Sequence, residues 1–272
     1  MTAETEGPDP TTSLLAFFGS EAHRLRTEAG WSQLETAKKA FATQAMISYI
    51  ESAKRVPSAE LAAGLDVAFG TGGHFMRLHP LVLRYAYPSW FLPYVELERD
   101  ASSIHTFEAQ VVPGLLQTEG YARAMFGAVR PDNLDDLVAA RLSRQAVLER
   151  EDRPRAWFVI DEQVLRRAIG GPAVMAGQLE RLLKAGAHPR TVIQVIPERV
   201  TAHAGLAGPF TIMGFTEGVD VLYVDGYSQG RLGTDASEVA GATHAYDLLR
   251  AVALSPEESA ELIGARLEDL SR

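Results

Sequence analysis

Apolar side chains recur at helical spacing through the first eighty residues. Leu14, Leu15, Phe18, Ala22 and Leu25 form one stripe, which Gly30 ends, and they predict a helix over 14–29. Ser32-Gln-Leu-Glu35 then reads as a capping box, the serine oxygen accepting from first-turn amides while the glutamate reaches back. The short helix it opens carries Leu34 and Ala37 on one side and exposes Lys38 and Lys39. After the turn at Phe41-Ala42, Thr43 is an N-cap for a helix from Gln44 to about Ser52 that buries Ile47 and Ile50. Pro57-Ser58 stops one element and caps the next, over 59–69, with Leu61, Leu65 and Ala68 inward. The glycine-rich stretch from Gly70 to Pro80 turns into a further helix, and Pro88 disfavours helix at Tyr87. The expected organisation is a flexible tail over 1–12, an all-α domain over 13–85 and a second domain over 86–272.

The second part alternates helical and strand patterns. Strands are expected at 106–112, 156–160, 191–196, 210–215 and 219–224. Helices are expected at 118–127, 133–151, 177–187, 237–253 and 256–270. The mixed order predicts an α+β domain built on a mixed sheet of roughly five strands.

Composition narrows the chemistry. With no cysteine among 272 residues, disulfides, thiol catalysis and cysteine-ligated metals are excluded. No apolar run approaches the roughly 18 residues of a membrane helix, and the acidic, polar start is no signal peptide. A cytoplasmic protein with no membrane partner is expected. The formal net charge of -9 speaks at first against DNA, but residues 23–55 hold six bases and three acids. Arg24, Arg26, Lys38, Lys39, Lys54 and Arg55 make that stretch locally positive.

Two short helices, a tight turn and a second helix with a polar first turn form the helix-turn-helix pattern. The major groove admits one helix, whose first turn must reach base edges. Gln44 can bond an adenine bidentately, Ser48 and Tyr49 lie one turn on, and Lys54 and Arg55 can meet phosphate. Spacing alone also fits a plain helical bundle with a polar surface.

Trp31-Ser-Gln-Leu-Glu-Thr-Ala37, Thr43-Gln-Ala-Met-Ile-Ser-Tyr-Ile-Glu51 and Lys54-Arg55-Val-Pro57-Ser58 resemble the Xre type of helix-turn-helix, the five-helix fold of phage repressors. The resemblance implies that Ala37 sits where the two helices cross and that Glu51 is the acid ending the recognition helix. Gln44, Ala45, Ser48 and Tyr49 would face the groove, with Ser32, Gln33, Lys38, Thr43, Lys54 and Arg55 at the phosphates. Phe41 and Ala53 depart from the pattern, standing where glycine is favoured, and this suggests a turn of different shape.

The remainder is similar to a more specific pattern. Trp90-Phe91, Glu96-Leu-Glu98, Val112-Pro-Gly-Leu-Leu-Gln-Thr-Glu-Gly-Tyr-Ala122, Arg141-Leu-Ser-Arg-Gln145, Gly208-Pro-Phe210 and Ala253-Leu-Ser-Pro-Glu-Glu-Ser259 occur in order. Together they resemble the actinobacterial antitoxin-like regulators of the WhiJ type. The resemblance implies a transcriptional regulator, with a second domain for dimerisation, signal sensing or binding a small partner protein encoded nearby. The implied partners are double-stranded DNA and a second copy of the chain. An alternative is an interaction module whose main work is capturing a partner.

Other constellations carry candidate chemistry. Glu98 and Glu108 with Arg141 and Arg144 are candidates to line a ligand or partner pocket, bordered by His203; structural ion pairs and a solvated loop histidine are the plainer reading. Gly226-Tyr-Ser228-Gln-Gly230 fits the G-x-S-x-G elbow of serine hydrolases, but that elbow must lead straight into a helix. A hairpin between strands is the alternative there. None of the seven histidines falls in an H-E-x-x-H pattern, and Gly70-Thr-Gly-Gly73 follows no strand, so no metal, dinucleotide or other cofactor is expected.

Overall fold

A computed structural model describes residues 8–270. The chain forms two compact units. The first runs to Leu92 and takes in Arg130–Ser143 as well; the second holds Pro93–Val129 and continues from Arg144. Residues 1–7 of the expected tail lie outside the described residues. Residues 9–12 form a turn, in which the Asp9 carboxylate accepts from the Thr11 amide at 2.9 Å.

Five helices make up the amino-terminal part of the first unit: α1 (Leu14–Glu28), α2 (Gln33–Lys39), α3 (Gln44–Glu51), α4 (Ala59–Phe69) and α5 (His74–Ala86). Their starts follow from side-chain caps. Ser13, Ser32, Thr43 and Ser58 each accept from a first-turn amide of α1 to α4, and Glu35 completes the capping box on α2. Helix α5 begins at Gly73, which has no side chain to cap with. Asp66 of α4 substitutes, accepting from the amides of Phe75 at 3.0 Å and Met76 at 2.9 Å and from the Thr71 hydroxyl. Burial raises the Asp66 pKa, but the hydrogen bonds from Thr71, Met76 and Phe75 outweigh it and hold the carboxyl below the ordinary aspartate value.

Helices α1 to α4 end by one device. At or just past the cap a residue turns left-handed, so the following amide reaches back five residues. Trp31 N bonds Arg26 O, Ala42 N bonds Ala37 O, Lys54 N bonds Tyr49 O and Thr71 N bonds Asp66 O. Gly30 and Gly70 supply the left-handed residue after α1 and α4, whereas Phe41 (φ 56°) and Ala53 (φ 55°) supply it after α2 and α3. The turn therefore keeps its left-handed shape without glycine, contrary to the expectation of a different one. Two other glycines set helix separation. A Cβ on Gly19 of α1 would stand 2.4 Å from the Ile50 carbonyl oxygen, and one on Gly64 of α4 would stand 2.3 Å from that of Ala40.

A sixth helix, drawn from farther along the chain, completes this unit. After α6 (Leu92–Asp100) and α7 (Glu119–Gly127), α8 (Leu134–Arg144) groups up to Ser143 with the amino-terminal helices and buries Val138, Ala139 and Leu142. The Ser13 hydroxyl, which caps α1, donates to Asp136 at 3.0 Å, and the Tyr87 hydroxyl donates to the Ala140 carbonyl at 2.9 Å. The expected long helix over 133–151 breaks at Arg144, where the chain passes to the second unit and narrows to a 3-10 turn over Gln145–Leu148. The leucine spacing runs through this break because Leu142 and Leu148 are both buried, one in each unit.

The second unit is α+β with a mixed sheet of six strands: β1 (Ser103–Glu108), β2 (Arg155–Asp161), β3 (Thr191–Ile196), β4 (Phe210–Gly214), β5 (Val221–Val224) and β6 (Arg231–Gly233). The order is β3-β2-β1-β4-β5-β6, with β1, β2 and β3 parallel and the others antiparallel to their neighbours. Strand β6 has three residues, too few for its pattern to register in the sequence. Between β2 and β3 run α9 (Glu162–Arg166) and α10 (Pro172–Gly186); α11 (Ala236–Val252) and α12 (Pro256–Leu270) close the chain. Phe107, Val159, Ile212 and Leu222 pack one sheet face against Val239, Tyr246 and Leu249 of α11. The outer edge of β3 is sealed: Val195 N donates to Ser259 Oγ at 3.0 Å, and Val195 O accepts from Leu254 N at 2.9 Å. That sealing is the local work of the Ala253–Ser259 motif.

The Val112–Ala122 motif also has a structural role. The chain leaves the sheet after Glu108, short of the expected end at 112, and its backbone is satisfied by buried side chains. Tyr121 accepts from Val112 N, Gln117 donates to Val112 O, and Gln145 donates to Gln117 O. Gln178 donates to Leu116 O and accepts from Thr118 N. A buried loop must find such partners, and three glutamines supply them here.

Three substitutions test this account. Phe41 is 88% exposed, so replacing it by glycine relieves the strain of a side chain in the left-handed region at little packing cost and raises stability by about 1 kcal/mol. Gly64→Ala lowers stability because the added methyl must displace Ala40. Denaturant midpoints report the Phe41 and Gly64 variants, and a stabilising Gly64→Ala would contradict the close approach. A depressed Asp66 pKa adds stability above the unfolded-state value of about 3.9, which is lost as pH falls through the folded-state value. Acid titration of the helical signal is therefore expected to be shallower in Asp66→Asn than in the wild type, and equal slopes would remove Asp66 from the account.

Candidate nucleic-acid interface

Helices α2 and α3 form the helix-turn-helix. Ile47 and Ile50 are buried, which turns the opposite side of α3 outward. Gln44, Ala45 and Tyr49 are exposed and Ser48 is half-buried. The structure thus sets the four predicted base-reading residues on the outer side of one two-turn helix. The Thr43 hydroxyl oxygen is engaged in capping, accepting from Met46 N at 3.2 Å.

A buried carboxylate fixes where α3 ends. Glu51 accepts from Arg26 Nε at 2.6 Å through one oxygen and from Gln33 Nε2 at 3.0 Å through the other. Arg26 also donates through Nη1 to the Trp31 carbonyl at 2.9 Å and through Nη2 to His23 Nδ1 at 3.3 Å. One cluster thereby ties α1, the start of α2 and the end of α3. Charges so enclosed hold geometry because removing either partner strands the other. Gln33, expected at a phosphate, has its amide nitrogen turned inward to this cluster.

The remaining cationic candidates flank α3. Lys38 and Lys54 are exposed. The Arg55 guanidinium lies over the Tyr49 ring at 5.1 Å, a cation–π arrangement that sequence spacing did not indicate. Lys39 is placed similarly over Trp31 at 4.6 Å, and Trp31 stacks on Phe69 at 5.4 Å. Ser32 uses its hydroxyl within the capping box with Glu35.

The pocket candidates separate. Arg144 and Glu98 form a buried bidentate pair, both contacts at 2.7 Å, beneath the Tyr94 ring. Burial, then the Glu98 charge, pushes the Tyr94 hydroxyl well above its ordinary pKa. Arg141 belongs to the first unit instead. Glu108 ends β1, half-buried. His203 pairs with Asp161, with Nε2 3.3 Å from the carboxylate. The Gly205 amide can only donate, and it meets His203 Nδ1 at 3.2 Å, so the ring proton sits on Nε2. Both ring nitrogens are thus committed to structure. Ser228 lies in the connection between β5 and β6, so the strand before it returns as a strand and not as the helix an elbow requires. Among the described residues no group of three histidine or carboxylate side chains is placed to hold a metal ion, and no helix is long and apolar enough to cross a membrane.

The fold and this face define a protein with an amino-terminal helix-turn-helix domain, the class that carries DNA-binding regulators, and a helix-turn-helix domain family model matches residues 18–77. A second model, described as a domain of unknown function (DUF5753), matches residues 91–265. That match spans more than half of the chain, and the protein belongs to this family. Comparison with curated proteins and with solved structures gives no match.

Removing Glu51 would leave Arg26 enclosed without its counter-charge. Glu51→Ala is expected to cost about 3–5 kcal/mol in the helical unit, and Glu51→Gln less because it still accepts from Arg26. Chemical denaturation of both variants measures this; a loss under about 0.5 kcal/mol for the alanine variant would show that the cluster does not anchor α3.

Proposed function

We propose that the protein is a sequence-specific DNA-binding transcriptional regulator that acts by binding and not by catalysis. The observation that carries this reading is the outward face of α3, with Gln44, Ala45, Ser48 and Tyr49 on a helix anchored at its far end by Glu51. Gln44 in the first turn reads an adenine edge, and Lys54 and Arg55 neutralise phosphate beside it. The local excess of bases over 23–55 supplies the attraction, while the acidic remainder limits binding to unrelated DNA.

On this reading the protein works in the cytoplasm as a homodimer, two recognition helices meeting half-sites roughly 34 Å apart. The second unit dimerises, senses a signal or binds a small partner protein encoded nearby. The similarity of its motifs to the antitoxin-like regulators of the WhiJ type supports this assignment.

Binding of full-length protein to its preferred site, found by mapping bound fragments, tests the proposal. Gln44→Ala is expected to weaken that site by about 1–3 kcal/mol and leave unrelated duplex unaffected. Arg55→Ala is expected to weaken both and to lower the salt slope by about 1. Equal loss on both DNAs for Gln44→Ala would remove it as a base reader, and absence of duplex binding by the wild type would refute the proposal.

A further inference from the structure

We infer that Ser143, on α8, is a positioning residue for DNA binding, fixing the backbone that carries Lys54 and Arg55. The inference rests on the DNA-binding reading above and extends it to a residue outside the helix-turn-helix.

The chain leaving α3 is held at two points. At the first, Ala53 turns left-handed and Lys54 N bonds Tyr49 O at 2.8 Å. At the second, Val56 N donates to Ser143 Oγ at 2.6 Å. The Ser143 hydroxyl proton is itself committed to the Ala139 carbonyl at 2.6 Å. A hydroxyl has one proton to give, so its oxygen is left to accept from Val56. Val56 is buried and Pro57 after it has no amide to offer, which leaves the Val56 amide dependent on this acceptor. Arg55 stands between the two anchors with its guanidinium over the Tyr49 ring. Lys54 and Arg55 are therefore both borne on a four-residue stretch whose far end is set by α8.

The source of that helix gives the contact its interest. Ser143 falls inside the 91–265 match to the domain of unknown function, yet α8 folds with the helix-turn-helix unit. The DNA-binding unit is thus completed from the family's second region. Without the hydroxyl, the Val56 amide must turn towards water, and the Lys54–Arg55 stretch moves with it. α3 keeps its own anchors at Glu51 and Gly19, so base reading is spared.

The test uses full-length Ser143→Ala and Ser143→Thr. Affinity is measured over a salt series on the preferred site and on unrelated duplex, and folding is followed by thermal melting. The alanine variant is expected to remain folded, to lose affinity several-fold on both DNAs and to show a salt slope smaller by about 1, the loss of one phosphate contact. Its preference for the specific site is expected to persist. Threonine, which keeps the oxygen, restores the slope. In Ser143→Ala/Arg55→Ala the two slope changes should fail to add, since both act on one contact. If the alanine variant melts below the assay temperature, Ser143→Cys, close in shape and weak in hydrogen bonding, carries the same expectation. An unchanged salt slope in a folded variant, or a loss that only follows the unfolded fraction, would overturn the inference. Wild-type protein that binds no duplex would overturn the DNA-binding reading and this inference together, whereas wild-type binding with an indifferent Ser143 would overturn this inference alone.

Discussion

The second helix of the helix-turn-helix depends on one enclosed charge pair. α3 is only two turns long, and a helix of that length has little stability of its own. Its direction must come from outside, and the Glu51 carboxylate provides it by meeting Arg26 of α1 and Gln33 of α2. The pair serves better as a locator than as a source of stability, since desolvation offsets much of the attraction. An enclosed ion pair has one low-energy arrangement, and the four outward residues of α3 inherit it.

Close backbone approach is the second constraint, and it works with the first. Gly19 lets α1 meet the end of α3, and Gly64 lets α4 meet the end of α2. Both helices of the motif then stop through a left-handed residue, Phe41 or Ala53, at a steric cost that glycine would avoid. The exit from α3 becomes a sharp bend, so the bases at 54 and 55 stay beside the outward face of α3. The bend is secured again by Ser143, and the helix-turn-helix unit is discontinuous in sequence.

Much of this was legible in the residues. Ser32, Glu35 and Thr43 announce their helix starts because capping is local, and Ile47 with Ile50 orients α3 by spacing alone. The exposed positions of α3 followed directly. Contacts between distant segments were not legible. The inward amide of Gln33 looks in sequence like any exposed polar residue of a first turn. Ser143 meets Val56 across 87 residues, and no local pattern encodes that pairing. Likewise the leucines of 134–148 keep helical spacing while serving two cores, so periodicity read one helix where the chain changes units. In the second unit, Glu98 and Arg144 were picked out as charges, and the fold pairs them, whereas Arg141 and His203 found other surroundings.

The central claim is that the face built by α3 and the bend after it meets DNA. Backbone amide shifts of the full-length protein, followed while duplex carrying its mapped site is added, test this most directly. The account predicts the largest changes at Gln44–Tyr49 and Lys54–Arg55, with the buried amides of the sheet unmoved. Duplex binding that leaves those amides unmoved and shifts residues of the second unit instead would contradict it.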